Sequence, residues 1–115
     1  MDEYIPPDQI TQSTLGVTTL YVIGLREADP SNLQRYDLYI APITDLPDFL
    51  SVWLTADSAE MYAAKYIRGK EPPWRQGFRD TDPKVIALSL EQVKDYLALQ
   101  APFELGLLIM DIFLQ

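Results

Sequence analysis

The chain has 115 residues, of which 48% are hydrophobic and 23% are charged. Its length fits one domain, and its apolar content is enough for a packed core, which excludes disorder over most of the chain. It contains no Cys and no His. Disulfide frameworks, thiol catalysis, Ser-His-Asp triads and metal sites built on Cys or His are therefore excluded.

The formal net charge is −8, which argues against general affinity for nucleic acid or for anionic membranes. The charge is unevenly spread along the chain. Residues 1–64 hold ten acidic and two basic side chains, whereas residues 65–84 hold six basic and three acidic ones. The second range is a locally cationic stretch of an acidic chain.

The first residues are acidic and rich in turn formers, unlike a secretory signal, and no run approaches the roughly 20 apolar residues of a membrane span. We therefore expect a cytoplasmic protein that does not contact membranes. Residues 1–16 are predicted to be an irregular lead-in, in which Pro7 can begin a short helical turn. Residues 17–115 are predicted to form a single α+β domain.

The first half of that domain is predicted to be mostly strands. Residues 17–25 are dense in β-branched and aromatic side chains and apolar on both faces, which is typical of a central strand. A polar turn at residues 29–32 leads to a second strand at 36–42, and the two strands read as a long-looped hairpin. A third strand is predicted over residues 49–55.

A helix over residues 58–68 is the best-specified element of the chain. Asp57 is placed as its N-cap, with Glu60 completing a capping box, and Thr55 is a competing cap. Apolar residues recur on one face at helical spacing. Gly69 stands where a left-handed C-terminal cap is expected.

The second half of the domain alternates strand, helix and strand. A strand at 84–88 leads to a helix at 90–99, for which Ser89 is the N-cap and Gln92 completes the capping box. The last strand, at 105–110, is either central in the sheet or an edge that pairs with a second copy. Together these elements predict an α+β fold with a mixed sheet of about five strands and two helices packed on one face.

Two stretches of the chain resemble SseB-type domains. Residues 50–60 are similar to that family's strand and the helix start that follows it, and residues 85–93 leading to 105–109 are similar to its second half. As a pattern the resemblance covers residues 17–110. The chloroplast-import chaperones of the Tic group look alike at the same level, but the chain begins without a transit segment. The resemblance implies a non-enzymatic binding or chaperone-like domain, with no active-site residues to carry over.

Residues 69–83 cannot hold regular structure for long, because Pro72, Pro73, Gly77 and Pro83 interrupt them. Aromatic and cationic side chains alternate in and beside this loop. Such residues either anchor a protein partner, or stack bases and neutralise phosphates, or serve only as the loop's own hydrophobic anchors. The candidate partner-binding residues are Tyr66, Lys70, Trp74, Arg75, Phe78 and Arg79.

Paired carboxylates are the remaining candidates for chemistry. Asp45 with Asp48, and Asp80 with Asp82, lie in segments whose composition predicts turns, and turn formation accounts for them. No catalytic, cofactor or metal site is predicted, and the enzyme class is ranked well below binding.

The sequence as a whole predicts a non-catalytic, SseB-like interaction module that binds another protein through the 69–83 loop or an exposed sheet face. One alternative is an acidic inhibitor or immunity-type protein that masks a basic partner, because residues 1–64 are strongly acidic. Another is a nucleotide or nucleic-acid binder that uses the basic-aromatic loop. A homodimer through the C-terminal strand is a further expected assembly.

Overall fold

The structure, a computed structural model, describes residues 4–25, 27–41, 43, 48–68, 83–101 and 105–111. Five strands and three α-helices lie within these ranges, so the α+β class is confirmed. The elements are β1 (Tyr4–Ile5), α1 (Gln12–Leu15), β2 (Thr19–Gly24), β3 (Phe49–Val52), α2 (Ala56–Tyr66), β4 (Lys84–Ser89), α3 (Leu90–Ala98) and β5 (Gly106–Ile109). None of these helices is long and apolar enough to cross a membrane.

The strands form two sheets that meet at one bridge. In the first sheet β5 lies between β1, which is antiparallel to it, and β3, which is parallel to it. In the second sheet β2 and β4 pair in antiparallel register over six residues. Tyr21 of β2 and Trp53, directly after β3, exchange two main-chain hydrogen bonds of 2.9 and 2.8 Å. This bridge gives the spatial order β1-β5-β3-β2-β4.

The C-terminal strand occupies the middle of the first sheet. Leu107 pairs with Ile5 on one side and with Leu50 on the other, and its own side chain is fully buried. Of the two positions left open by the sequence, the central one is therefore correct. The reading of this strand as an open edge that pairs with a second copy is wrong.

Residues 4–16 are more ordered than the sequence predicted. Tyr4 and Ile5 pair with β5, and the 3-10 turn Pro7–Gln9 begins at the expected proline. The short helix α1 then ends at Gly16, which adopts a left-handed conformation with φ +74°. A two-residue strand carries too weak an alternation to be recognised in a sequence, which is why a lead-in was expected here.

The second predicted strand, at 36–42, is reduced to a single bridge. Leu38 pairs with Gly24 of β2, and the chain then leaves the sheet edge. Tyr36 has φ +73°, which no strand residue adopts. The N–H of Ala41 donates to the buried Ser51 Oγ over 3.0 Å rather than to another strand. The apolar content of residues 36–42 correctly predicted that this segment lies beside β2. The turn at Tyr36 and the bond from Ala41 to Ser51 take the place of the strand-to-strand hydrogen bonds that were expected.

Helix α2 is capped by Thr55, the competing residue, and not by Asp57. Thr55 Oγ1 accepts a hydrogen bond of 3.1 Å from the N–H of Ser58. The helix therefore starts at Ala56, two residues earlier than predicted, and Asp57 lies in its first turn, where a carboxylate is favourable to the helix dipole.

Helix α3 begins directly at the end of β4 through the predicted capping box. Ser89 Oγ accepts from the N–H of Gln92 over 3.1 Å, and Gln92 Oε1 accepts from the N–H of Ser89 over 2.9 Å. Removal of an N-cap side chain of this kind costs about 1 kcal/mol. The strand thus turns into a helix with no loop between them.

The two long helices cover opposite faces of the strands. Tyr21 and Trp53 are direct neighbours, so their side chains share a face, and the Tyr62 ring of α2 packs on Trp53 with ring centroids 5.1 Å apart. Helix α3 follows Leu88, which with its partner Leu20 lies on the other face. The β3–α2–β4 and β4–α3–β5 connections each join parallel strands and run in opposite directions along the strand order. Right-handed crossovers, which are the general rule, place such a pair of helices on opposite faces. The sequence predicted one shared face.

Candidate interaction surface

The C-terminal turn of α2 presents an aromatic side chain where the predicted binding loop begins. Tyr66 is 40% exposed, and its ring packs on that of Tyr62 with centroids 4.7 Å apart. Lys65 Nζ lies 5.2 Å from the centre of the Tyr66 ring, within range of a cation–π contact. A partly exposed Tyr that packs on a second aromatic ring and contacts a cation is the kind of side chain that anchors protein partners.

Arg68 connects α2 to the start of β4. Its Nη1 lies 2.7 Å from Glu60 Oε2, and its Nη2 donates to the carbonyl oxygen of Pro83 over 2.8 Å. Because Arg68 and Pro83 flank residues 69–82, one guanidinium holds together the two points at which that segment leaves and rejoins the fold. No local sequence pattern predicts this bridge, because Arg68 and Pro83 are 15 residues apart in the chain.

Of the six predicted site residues, only Tyr66 belongs to the described part of the chain. Lys70, Trp74, Arg75, Phe78 and Arg79 lie outside the described residues, as does the predicted cap Gly69. The structure therefore locates the anchorage of the predicted loop, through Tyr66, Arg68 and Pro83. The assignment of the five loop residues to a partner remains a prediction.

A buried aromatic cluster stands behind this surface. The phenolic oxygens of Tyr39 and Tyr62 are 3.1 Å apart, and their ring centroids are 5.9 Å apart. Burial raises the pKa of both phenols, most strongly that of Tyr39. Both phenols therefore stay neutral at physiological pH, and their hydroxyl groups form a hydrogen bond inside the core.

Two buried side-chain nitrogens have no hydrogen-bond partner among the described residues, namely Trp53 Nε1 and Gln100 Nε2. Trp53 is fully buried and Gln100 is 6% exposed. An unpaired buried donor costs about 1–3 kcal/mol. In Trp53 that cost is offset by the apolar contact of a large ring at the junction between the two sheets.

A cleft of about 240 Å³ separates α3 from the turn after β2. The Nε2 of Gln92 bridges its two walls by donating to the carbonyl oxygen of Pro30 over 3.2 Å. The one carboxylate lining it, Asp95, is exposed, so the cleft offers no buried carboxylate. The lining residues are Pro30, Ser31, Asn32, Leu33, Gln34, Gln92, Asp95, Tyr96 and Leu99.

The carboxylate pairs suggested by the sequence do not form a site in the described residues. Asp45, Asp80 and Asp82 lie outside those residues. Asp48 uses its carbonyl oxygen to accept the N–H of Gly106 over 3.2 Å, which holds β3 beside β5. Among the residues that the structure describes, no group of three Asp or Glu side chains is placed to hold a metal ion.

The face of the β2–β4 pair on which α2 packs is only partly covered by that helix, and the open part around Ala87 is the exposed sheet surface that the described residues offer. Ala87 is exposed, whereas Tyr21 and Val85 are half-buried on the same face. Since β4 pairs only with β2 among the described strands, it also forms the outer edge of the second sheet. This edge starts at Lys84, the residue that follows the predicted binding loop in sequence.

Comparison of the chain with protein-family models, with curated proteins and with solved structures finds no match in any of the three sets. The resemblance to SseB-type domains therefore stays a prediction.

Proposed function

We propose that this chain is a non-catalytic, SseB-like interaction module of the cytoplasm that binds another protein. Its contact surface consists of the 69–82 segment together with Tyr66 and the neighbouring β4 edge. One observation supports this location above the others. The partly buried guanidinium of Arg68 bonds both to Glu60 of α2 and to the carbonyl oxygen of Pro83, and so it links the residues that flank the cationic segment.

The amino-acid composition supports binding over turnover. The chain has no His and no Cys, and the buried phenols of Tyr39 and Tyr62 are held neutral by burial. Tyr, Trp and Arg, which dominate binding energy at protein interfaces, occur together at residues 66–79.

The decisive experiment compares two pairs of neighbouring residues, each consisting of an aromatic residue and an arginine. Trp74→Ala/Arg75→Ala alters the proposed surface. Arg35→Ala/Tyr36→Asn alters a control pair, in which Arg35 Cζ lies 5.1 Å from the centre of the exposed Tyr36 ring. A protein captured from lysate by the wild-type chain is identified and purified, and its Kd is measured for each variant.

We expect the Trp74/Arg75 variant to weaken binding by at least about tenfold, as hot-spot residues do, and the control pair to leave it within about twofold. Equal losses in both variants, or a loss only in the control, would refute the location. Turnover of a small substrate by the purified chain would refute the function itself.

One alternative retains specific support: an acidic inhibitor that masks a basic partner. Asp8, Glu27, Asp29 and Asp57 are all exposed in the strongly acidic part of the chain. Such a complex depends on electrostatic steering, so its association rate would fall steeply with salt. An association rate that does not change with salt would exclude the acidic-inhibitor hypothesis and leave binding through the 69–82 segment as the proposal.

A further inference from the structure

The cleft between α3 and the turn after β2 combines buried apolar residues with an exposed polar rim. Leu33 and Tyr96 are 8% and 3% exposed, and Leu99, at the end of α3, is 49% exposed. The cleft measures about 240 Å³, which is below the roughly 300–1,000 Å³ of sites that enclose a whole small molecule. Its size and lining suit a single long side chain with an apolar stem.

The hydrogen-bond donors that line this cleft are largely engaged within the chain. Ser31 Oγ donates to Asp29 Oδ1 over 2.8 Å, and Gln34 Nε2 donates to Asn32 Oδ1 over 3.0 Å. Gln92 Nε2 takes part in the bond that spans the cleft. The main-chain N–H groups of Ser31, Asn32 and Gln34 also have acceptors. A ligand that brings acceptors of its own, such as a carboxylate or a phosphate, therefore finds few free donors here.

Acceptors in the same cleft remain open. Among the described residues, no hydrogen bond or ion pair engages the carboxylate of Asp95. The carbonyl oxygen of Pro30 and Oδ1 of Asn32 each accept one bond, and each oxygen has a second lone pair. A site with open acceptors and engaged donors favours a ligand that carries only donors. Among protein side chains, Arg and Lys have this property.

The charge of the two segments around the cleft favours the same ligand. Residues 27–37 and 90–99 together hold five acidic and two basic side chains. Neither basic residue lines the cleft. The guanidinium carbon of Arg35 lies 5.1 Å from the centre of the Tyr36 ring. Lys94 is at least about 100° around the helix from each α3 residue that lines the cleft. The segments therefore leave the Asp95 charge available to a cation from outside.

We infer that the cleft receives an arginine side chain of a partner protein. The planar guanidinium places two N–H groups on the Asp95 carboxylate, and its other donors face the open acceptors of Pro30 and Asn32. Its aliphatic stem covers the apolar surface of Leu99. Lysine supplies the same charge without this planar fork of donors. The cleft lies on α3, apart from the contact surface proposed above, so the inference goes beyond the proposed function and does not depend on it.

The same lining distinguishes an arginine within a polypeptide from free arginine. The free amino acid brings an α-carboxylate, for which the cleft has few unengaged donors. In a polypeptide that carboxylate is replaced by an amide, so only the cationic side chain has to be accommodated.

Capped peptides test the inference directly. The first probe is acetyl-Gly-Arg-Gly-amide. In the second and third probes the arginine is replaced by lysine or by citrulline, which keeps the shape of arginine without its charge, and free arginine is the fourth. Main-chain amide chemical shifts of the isotope-labelled chain, followed by NMR during titration, give the Kd and the residues that are contacted.

Two variants separate the cleft from the rest of the acidic surface. Asp95→Asn removes one charge at an exposed position of α3 and keeps the shape of the side chain, so the fold is retained. Asp57→Asn is the matched control, because it makes the same change at an exposed position in the first turn of α2, on the opposite face of the strands.

We expect the arginine peptide to shift the amides of residues 30–34 and 92–99. It should bind at least about fivefold more tightly than the citrulline peptide, with the lysine peptide between them. Asp95→Asn should weaken the arginine peptide by at least about fivefold, whereas Asp57→Asn should leave its Kd within about twofold.

Equal binding of the arginine and citrulline peptides, or an unchanged Kd in Asp95→Asn, overturns the inference. So do amide shifts confined to other parts of the chain. No shift at about 10 mM peptide also overturns it, because a Kd of a few mM would be visible at that concentration. Free arginine that binds more tightly than the capped peptide would make the cleft a small-molecule site and refute the protein partner.

Discussion

The hydroxyl groups of Tyr39 and Tyr62 contact each other at 3.1 Å inside the core, and through them the irregular segment after β2 is joined to α2. Replacing either residue by Phe leaves the other hydroxyl with one hydrogen bond fewer, which should lower the free energy of unfolding by about 1 kcal/mol. The Tyr39→Phe/Tyr62→Phe double variant should lose less than the sum of the two single losses. Urea unfolding of the four proteins measures this coupling, and strictly additive losses would show that the contact contributes nothing.

The same pair predicts a loss of stability at alkaline pH. Burial raises the pKa of both phenols in the folded chain above the value of about 10 found in unfolded chains. Below pH 10 neither state ionises, so stability is unaffected. Above it the unfolded chain loses these protons first, and the free energy of unfolding must fall as pH rises.

This alkaline loss is measured by urea unfolding between pH 8 and about pH 11, where the phenols of the unfolded chain titrate. Tyr39→Phe should flatten the decline, whereas Tyr36→Phe, which replaces an exposed phenol, should not. Parallel curves for Tyr39→Phe and the wild type would contradict the assignment.

The regular part of this fold was predictable where one short pattern determines the structure. The β-branched and aromatic content of β2, the periodicity of α2 and the Ser89–Gln92 capping box are all local, and the element that each predicts is confirmed. The position of β5 was not predictable, since its neighbours are set by contacts about 100 residues away in sequence, from Tyr4 to Leu108. For the candidate surface, the sequence predicted only that aromatic and cationic residues are concentrated there. The Arg68–Pro83 bridge was not predictable, because it depends on how closely α2 approaches β4 in the folded chain.

Tyr36 offers a stabilising substitution. It is a bulky residue with φ +73° whose side chain is 53% exposed, so it carries backbone strain and gains little from burial. Left-handed backbone costs a residue with a Cβ about 1 kcal/mol. Tyr36→Gly should therefore raise the free energy of unfolding by about 0.5 kcal/mol after the extra entropy of Gly in the unfolded chain is subtracted. Thermal and urea unfolding measure the change, and Tyr36→Ala, which keeps the strain, should give no gain.

Arg68→Ala should loosen the base of the 69–82 segment. The variant loses both the contact with Glu60 and the bond to the Pro83 carbonyl, so the ends of the segment separate more often and local opening becomes easier. Chymotrypsin, which cuts after aromatic residues, should therefore cleave at Trp74 or Phe78 faster than in the wild type. Lys65→Ala is the control, because Lys65 lies in the same helical turn and contacts Tyr66 instead. Equal cleavage rates in the two variants would show that the bridge does not restrain the segment.

The central position of β5 has a consequence for synthesis on the ribosome. Because β5 is what joins β1 to β3 among the described strands, a growing chain that already contains both still leaves their facing edges unpaired until residues 106–109 have emerged. Until that strand has been made, the strands that precede it lack their central partner, and their unpaired edges are open to aggregation.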